Sequence, residues 1–536
     1  MDASQTTPSD LTKPFLSDGS MRRVMWSFVA FGVAARLAQY LICAPLWHDE
    51  LALVDGLLQV HQLADVLRPL PNAQIAPPWF CAFEWLLIQQ IGCSEYVLRF
   101  LPLAMSVVAL LGFTYFCRRA LPTLAATIAV AIFAVSNNLI EYAAEVKPYS
   151  GDVAATVLLA WLIQRWWQSD QVRYLGVLTV LAPLMLGLSF PTFFIYATIA
   201  AVIAPRVVLH SNAITKVVYA TFLLTLGLTA ATLYVGYISH QSQATMTFMS
   251  EFWSPAFFPW ATPVGWPGWF FSIHTGELMA YPFGGNHGAS AVTALAFVVG
   301  VSVLIRQRQY FGLAFILVPF GLGIIASALG KYPYGYLNRT SAYLGPIVIV
   351  TAAIGTAPII QRLNQWARSA KPMWGYVIVL YLLGASVVIT ALVKPSRVRR
   401  DWQSRAFARW FWNDHAGSIP TICALTDLGI ELPHTVDYRC HQRMYSGSHR
   451  SGVRQKLEEV LTDGGRARVV FPEDPRYPSD KLATWEAIRR RLPPGTRVVS
   501  TASFKVNPGD KLLCPIYHVY EIIVGREPSL LSFGRR

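Results

Sequence analysis

The stretch CAPLWHDELALVDG, residues 43 to 56, sets His48, Asp49 and Glu50 side by side just where about twenty mostly apolar residues end. Ionisable groups are costly at membrane depth and mark functional positions when they occur at its edge. A carboxylate there can take the proton of an attacking hydroxyl, so Asp49 is the candidate general base, with Glu50 beside it. The ends of other apolar segments carry Arg99, Glu141, Glu145, Lys147, Asp152, Lys331 and Arg339. Lysine and arginine neutralise a departing phosphate through charge-assisted hydrogen bonds, so this set of acids and bases suits group transfer from a phosphate ester. Each residue taken alone reads equally well as a solvated loop charge. His48 and Glu50 could join Asp49 on a metal, but an oxygen-rich metal site needs more ligands than the sequence supplies there, so no required metal or other cofactor is expected.

The elements that must position these groups follow from composition. The chain has 536 residues, 54% hydrophobic and 14% charged, with a mean hydropathy of +0.40, against roughly a quarter charged in an ordinary soluble domain. Apolar stretches of about 20 residues, the length that crosses a bilayer as a helix, recur from Val24 to about Val393. The expected fold class is therefore an α-helical polytopic membrane protein. Residues 1–23 read as a cytoplasmic tail: they are polar, with no apolar core of a cleaved signal peptide, and Met21-Arg22-Arg23 opens the first span with a basic flank.

The segment APPWFCAFEWLLIQQIG, residues 76 to 92, is ambiguous. It is apolar but short, starts with two prolines and contains Glu84, which fits a helix lying at the interface better than a crossing. If it does not cross, Arg118 and Arg119 fall in the cytoplasm, and the rule that holds basic loops on that side carries the threading onward. Spans then run at 97–117, 123–140, 152–167, 174–190, 192–209 and 217–238. After them come spans at 290–305 and 310–329, one ending at Arg362, and one at 373–393. With the first span that makes eleven crossings. Residues 47–96 form the first external loop. Residues 240–288, rich in Trp, Phe, Pro and Gly, form a structured external segment with rings at headgroup level.

The tail, residues 394–536, is expected outside the membrane as an α/β domain. Helical patterns at RAFARWFWNDHA, RQKLEEVLTDGG and KLATWEAIRRRLPPG alternate with strand patterns at TICALTDLGI, RARVVFP, TRVVSTASF and YHVYEIIVG. It has no glycine-rich phosphate loop, Cys/His cluster or nucleophile motif, which directs catalysis to the membrane part. Among its cysteines, Cys423, Cys440 and Cys514, one pair could bridge in an oxidising compartment, with free buried thiols the alternative. The net charge of +14 in a lipid-embedded chain favours an anionic membrane surface or ligand, and nucleic acid is set aside.

HDE after the first span, RPLPNAQIAPPWF (68–80), SEYVLRFLP (94–102) and YAAEVKPYSGDV (142–153) together resemble, in order and spacing, the bacterial family 39-like glycosyltransferases. These belong to the GT-C superfamily, with protein O-mannosyltransferases and lipid A aminoarabinose transferases as relatives. The resemblance is strong over residues 24 to about 170, weaker through KYPYGYLNR (331–339), and in the tail rests only on an external α/β character. It implies a GT-C transmembrane catalytic domain over 24–393 and a polyprenyl-phosphate-linked sugar as donor. It further implies inverting transfer to an acceptor hydroxyl at the outer face of a bacterial inner membrane. Under it the base falls on Asp49, its acidic neighbour on Glu50, and the second acidic loop's carboxylate on Glu145. Donor-phosphate contacts fall on Lys147 and Arg99, and more loosely on Lys331 and Arg339. His48 and Tyr149 are further pocket candidates. Where the mannosyltransferases carry a histidine before the proline of the first loop, this chain has Asn72 and Gln74. The rival readings are a transporter or flippase of lipid-linked sugars and a non-catalytic assembly partner. Charges at one face and halves that do not resemble each other count against transport. The sugar and the envelope glycan, lipid or protein that accepts it are not legible.

Overall fold

The computed structural model describes residues 17–70, 74–285 and 288–395, with 421–424, 444–447, 466–473, 490, 496–505 and 516–523 of the tail. The chain forms two units, 1–43 with 56–393 and 44–55 with 394–536.

The first unit is helical. Ser17 caps α1 (Asp18–Ile42) by accepting from the Ser20 amide at 3.2 Å, as hydroxyls do at helix starts. There follow α2 (His48–Leu58), which begins in the second unit, α3 (Pro78–Ile91), α4 (Glu95–Ala120), α5 (Thr123–Val135), α6 (Asn137–Glu141), α7 (Tyr149–Ser169), α8 (Val172–Leu188), α9 (Thr192–His210) and α10 (Ala213–Gly236). Then come α11 (Gln243–Phe252), α12 (Trp266–His274), α13 (Ala291–Arg306), α14 (Tyr310–Ala328), α15 (Asn338–Ser341), α16 (Gly345–Trp366) and α17 (Lys371–Val393). Each of the eleven apolar segments read from the sequence is helical. Among the described residues seven helices are long and apolar enough to cross a membrane, eight if α5 and α6 count as one bent span, and α8 and α13 are shorter apolar helices. Valines and leucines such as Val180, Leu228, Val292 and Leu392 stand exposed on these helices, as side chains that face lipid do.

The 14 residues of α3 reach about 21 Å at 1.5 Å per residue, short of the roughly 30 Å of a hydrocarbon core. Pro78 suits its first turn, where an amide donor is not needed. The expected span 123–140 is broken: α5 and α6 meet at a 55° bend around Ser136. A break inside a bundle leaves carbonyls without helical partners. The fully buried Arg36 of α1 supplies them, donating to Ala134 O at 3.1 Å and Phe133 O at 3.4 Å, to Gly32 O at 2.9 Å and to Ser106 Oγ at 2.8 Å. The Asn137 amide donates to Pro282 O at 3.0 Å instead.

Elsewhere the bundle packs through small residues. A Cβ at Gly300 would lie 2.0 Å from Thr351 O and one at Gly355 2.0 Å from Ala296 O, so α13 and α16 touch backbone to backbone, the close approach that lets van der Waals contact hold helices together in lipid.

In the second unit, β1 (Thr421–Ala424), β2 (Met444–Gly447), β3 (Arg466–Glu473), β4 (Arg497–Lys505) and β5 (Ile516–Ile523) make one sheet in the order β2-β1-β3-β5-β4. β1 runs parallel to β2 and β3, while β5 is antiparallel to β3 and β4. Four strands fall where alternation placed them, and β2 was not anticipated. The three expected tail helices and the side chains of Cys423, Cys440 and Cys514 lie outside the described residues.

Candidate active site

The start of α2 is built by its own residues. Leu51 N donates to Trp47 O at 3.0 Å, closing the first turn, and the carboxylate of Glu50 reaches back to accept from Trp47 N at 3.1 Å. This is the reciprocal half of a capping box, in which an acid at the third helical position satisfies the amide before the helix. Glu50 is 1% exposed. Glu50 makes this helix-start contact, and Asp49, which follows the first helical residue, His48, is half-buried.

In the first unit the polar groups gather around residues 141 to 150. Ser150 Oγ donates to Tyr142 O at 2.8 Å and Lys147 N to Glu145 O at 2.7 Å, folding YAAEVKPYS into a tight turn before α7. Lys147, 6% exposed, points its ammonium at Gln74 Oε1 at 2.7 Å. Gln74 lies just before the double proline that opens α3, so the motif around APP and the EVKPY motif meet. Glu145 and Arg99 are buried as well. Cys81, on α3, lies within electrostatic reach of both Lys147 and Glu84. Glu84 is fully buried, neither of its carboxyl oxygens has a hydrogen-bond partner among the described residues, and desolvation holds its pKa well above the usual carboxylate range.

Next to this turn lies a second buried polar group. Tyr142 donates to Asn338 Oδ1 at 3.1 Å, and Asn338 Nδ2 donates to Glu277 O at 2.9 Å. Glu277 has a raised pKa from burial first and from the like charge of Glu141 second. The Tyr149 ring tilts against Tyr142 at 5.0 Å.

Gln74 and Lys147 touch, and Tyr149 packs beside the same turn. Arg339 lays its guanidinium over the rings of Trp253 at 5.2 Å and Phe252 at 5.8 Å. Lys331 is exposed. Asn72 and the His48 side chain lie outside the described residues. Asn338, Glu277 and Glu84 were not anticipated. Asn338 was quoted within KYPYGYLNR for its neighbouring cation, and the signal for Glu84 was its being a lone carboxyl in an apolar helix. Among the described residues no three His, Cys, Asp or Glu side chains stand close enough to hold a metal.

No protein-family model and no curated protein sequence matches the chain. Solved structures do. ArnT from Cupriavidus metallidurans bound to undecaprenyl phosphate superposes with a TM-score of 0.53 at 11% identity, covering 92% of this chain and 97% of ArnT. The same protein in its apo state gives 0.50 at 11% identity over 92% and 98%. The Archaeoglobus fulgidus oligosaccharyltransferase gives 0.45 at 12% identity over 86% and 70%, too loose to carry a fold argument. A likeness that extends over nearly the whole of both chains, through the helices and into the tail, makes this chain a polytopic membrane protein of the GT-C fold.

Proposed function

We propose that the protein is an integral-membrane glycosyltransferase that moves a sugar from a polyprenyl-phosphate donor to an acceptor hydroxyl at the outer face of a bacterial inner membrane. The observation that carries this reading is the buried Lys147, held by Gln74 in a turn next to α3, within a fold shared with a protein that binds undecaprenyl phosphate. An ammonium held at that place can bind a phosphate oxygen through a charge-assisted hydrogen bond.

In the reaction the acceptor oxygen attacks the anomeric carbon as the bond from that carbon to the phosphate oxygen breaks. The configuration inverts, the acceptor proton passes to Asp49, and the electron pair leaves on polyprenyl phosphate, whose charge Lys147 and Arg99 stabilise. Glu50 holds the start of α2 through Trp47 N, and Glu145 shapes the Lys147 turn. The chemistry calls for no cofactor.

The test is release of polyprenyl phosphate from labelled donor by purified protein. Asp49→Asn is expected to keep fold and donor binding and lose turnover by roughly 10²–10⁴-fold, the contribution of a general base. Because Glu50 makes the helix-start contact, Asp49→Asn leaves that bond intact. A variant with near-normal release removes Asp49 from the mechanism, and donor binding without any release by the wild type favours a flippase.

A further inference from the structure

A second polar feature lies elsewhere in the bundle and takes no part in the site above. Where α7 and α9 end and α10 begins, the chain leaves an open groove of about 700 Å³, lined on its apolar side by Pro205 and Leu209 and on its polar side by Arg206, His210, Asn212 and Asp170. That volume falls in the range of small-ligand sites. Arg206 is fixed in place: Nη1 donates to Trp167 O at 2.8 Å, Nη2 pairs with Asp170, and the guanidinium lies 4.5 Å from the centre of the Trp167 ring. Two of its five N–H groups are thereby engaged among the described residues. The others sit on a fork that is already oriented, and the side chain is 27% exposed, so it is reachable. A planar, pre-positioned guanidinium matches the oxygens of a phosphate.

The neighbourhood identifies the source of that phosphate. These helix ends also carry Arg165, Arg173 and Lys216, the kind of basic rim that meets lipid headgroups. Leu209 and Val208 beside the groove are 70% and 59% exposed, an apolar edge suited to glycerol and the first carbons of acyl chains. Asp170 is 61% exposed next to the arginine. It disfavours a second negative charge and offers a partner to an ammonium. We propose that this groove holds the headgroup of a zwitterionic phospholipid, its phosphate on Arg206 and its ammonium toward Asp170, with the glycerol backbone against Pro205 and Leu209.

Delipidated protein in detergent would be titrated, by native mass spectrometry, with dihexanoyl phosphatidylethanolamine, dihexanoyl phosphatidylglycerol, dihexanoylglycerol and inorganic phosphate. The ethanolamine lipid is expected to bind most tightly, with Arg206→Gln weakening it by tenfold or more and Arg206→Lys by less. Asp170→Asn, which removes the carboxylate but keeps the bond of Arg206 to Trp167 O and its contact with the Trp167 ring, is expected to level the two phospholipids. Equal binding by phosphate-free dihexanoylglycerol, or unchanged binding by both Arg206 variants, overturns the assignment. Inorganic phosphate binding as tightly as the lipids overturns the lipid source and leaves an anion site.

Discussion

Glu84 is buried with no hydrogen-bond partner among the described residues, so its proton and the stability of the protein are linked. Its folded pKa lies above the unfolded value of roughly 4.3. Between the two the native state holds a proton that the unfolded chain has lost, so stability is greatest below about pH 4.3 and falls as pH rises toward the folded pKa. Glu84→Gln removes the titration. Thermal unfolding in detergent is expected to show the variant gaining on the wild type from pH 5 to pH 8; parallel curves would place Glu84 in contact with solvent. Lys147 makes the opposite kind of prediction, because its charge is used. Lys147→Ala is expected to lower kcat/KM for the donor by an amount equivalent to roughly 1.5–3 kcal/mol, the worth of a charged hydrogen bond, while Lys147→Arg keeps part of it. Full activity in the alanine variant would make Lys147 a structural partner of Gln74 and nothing more. At this scale the sequence is legible for groups whose neighbours are local. The charges of EVKPY and the acidic pair after α1 stand out in the sequence because they lie at the ends of apolar segments. The role of Glu50 at Trp47 N and of Asn338 as the acceptor for Tyr142 does not, since one is a matter of helix phase and the other joins residues 196 apart.

Among the elements, the break between α5 and α6 shows what hydropathy alone leaves out. Residues 123 to 140 are mostly apolar, and TLAATIAVAIFAVSNNLI contains no proline; its polar Ser136, Asn137 and Asn138 stand where the helix breaks. The bend is held from outside by the guanidinium of Arg36, which fills the carbonyls of Phe133 and Ala134. Arg36→Met takes those donors away, and a buried carbonyl without a partner costs roughly 1–3 kcal/mol, while removal of a buried charge offsets part of that globally. The expected result is therefore local: hydrogen exchange at residues 134–141 speeds up in Arg36→Met more than elsewhere in the bundle and recovers in part in Arg36→Lys. Uniform acceleration across all helices would mean that Arg36 supports the bundle at large. The tail shows the same limit from the other side. Four of its strands follow from alternation, but β2, at the sheet edge beside β1, has the sequence MYSG, two apolar residues side by side and then Ser and Gly, which carries no alternation.

For the molecule as a whole, the eleven segments and the basic residues between them make a topology that can be measured. Cysteine labels at Gln307 and Ala367, in the basic turns after α13 and α16, are expected to be shielded from impermeant reagents in intact cells. One at Val264, 97% exposed in the aromatic segment, is expected to react; labelling at 307 would invert the threading. The apolar segments are legible because each announces itself by its length and composition, whereas the packing of α13 on α16 depends on which glycines face each other. The setting of Arg36 also bears on how the chain is made. Its carbonyl partner Ala134 lies 98 positions downstream, so α1 enters the lipid long before the residues that receive its guanidinium have left the ribosome. An arginine near the middle of a lone span costs roughly 2.5–3.5 kcal/mol to insert, and the water or insertion machinery that shelters it has to remain until α5 arrives. The first helix is thereby a helix on loan to its surroundings, and synthesis of the fifth completes its insertion.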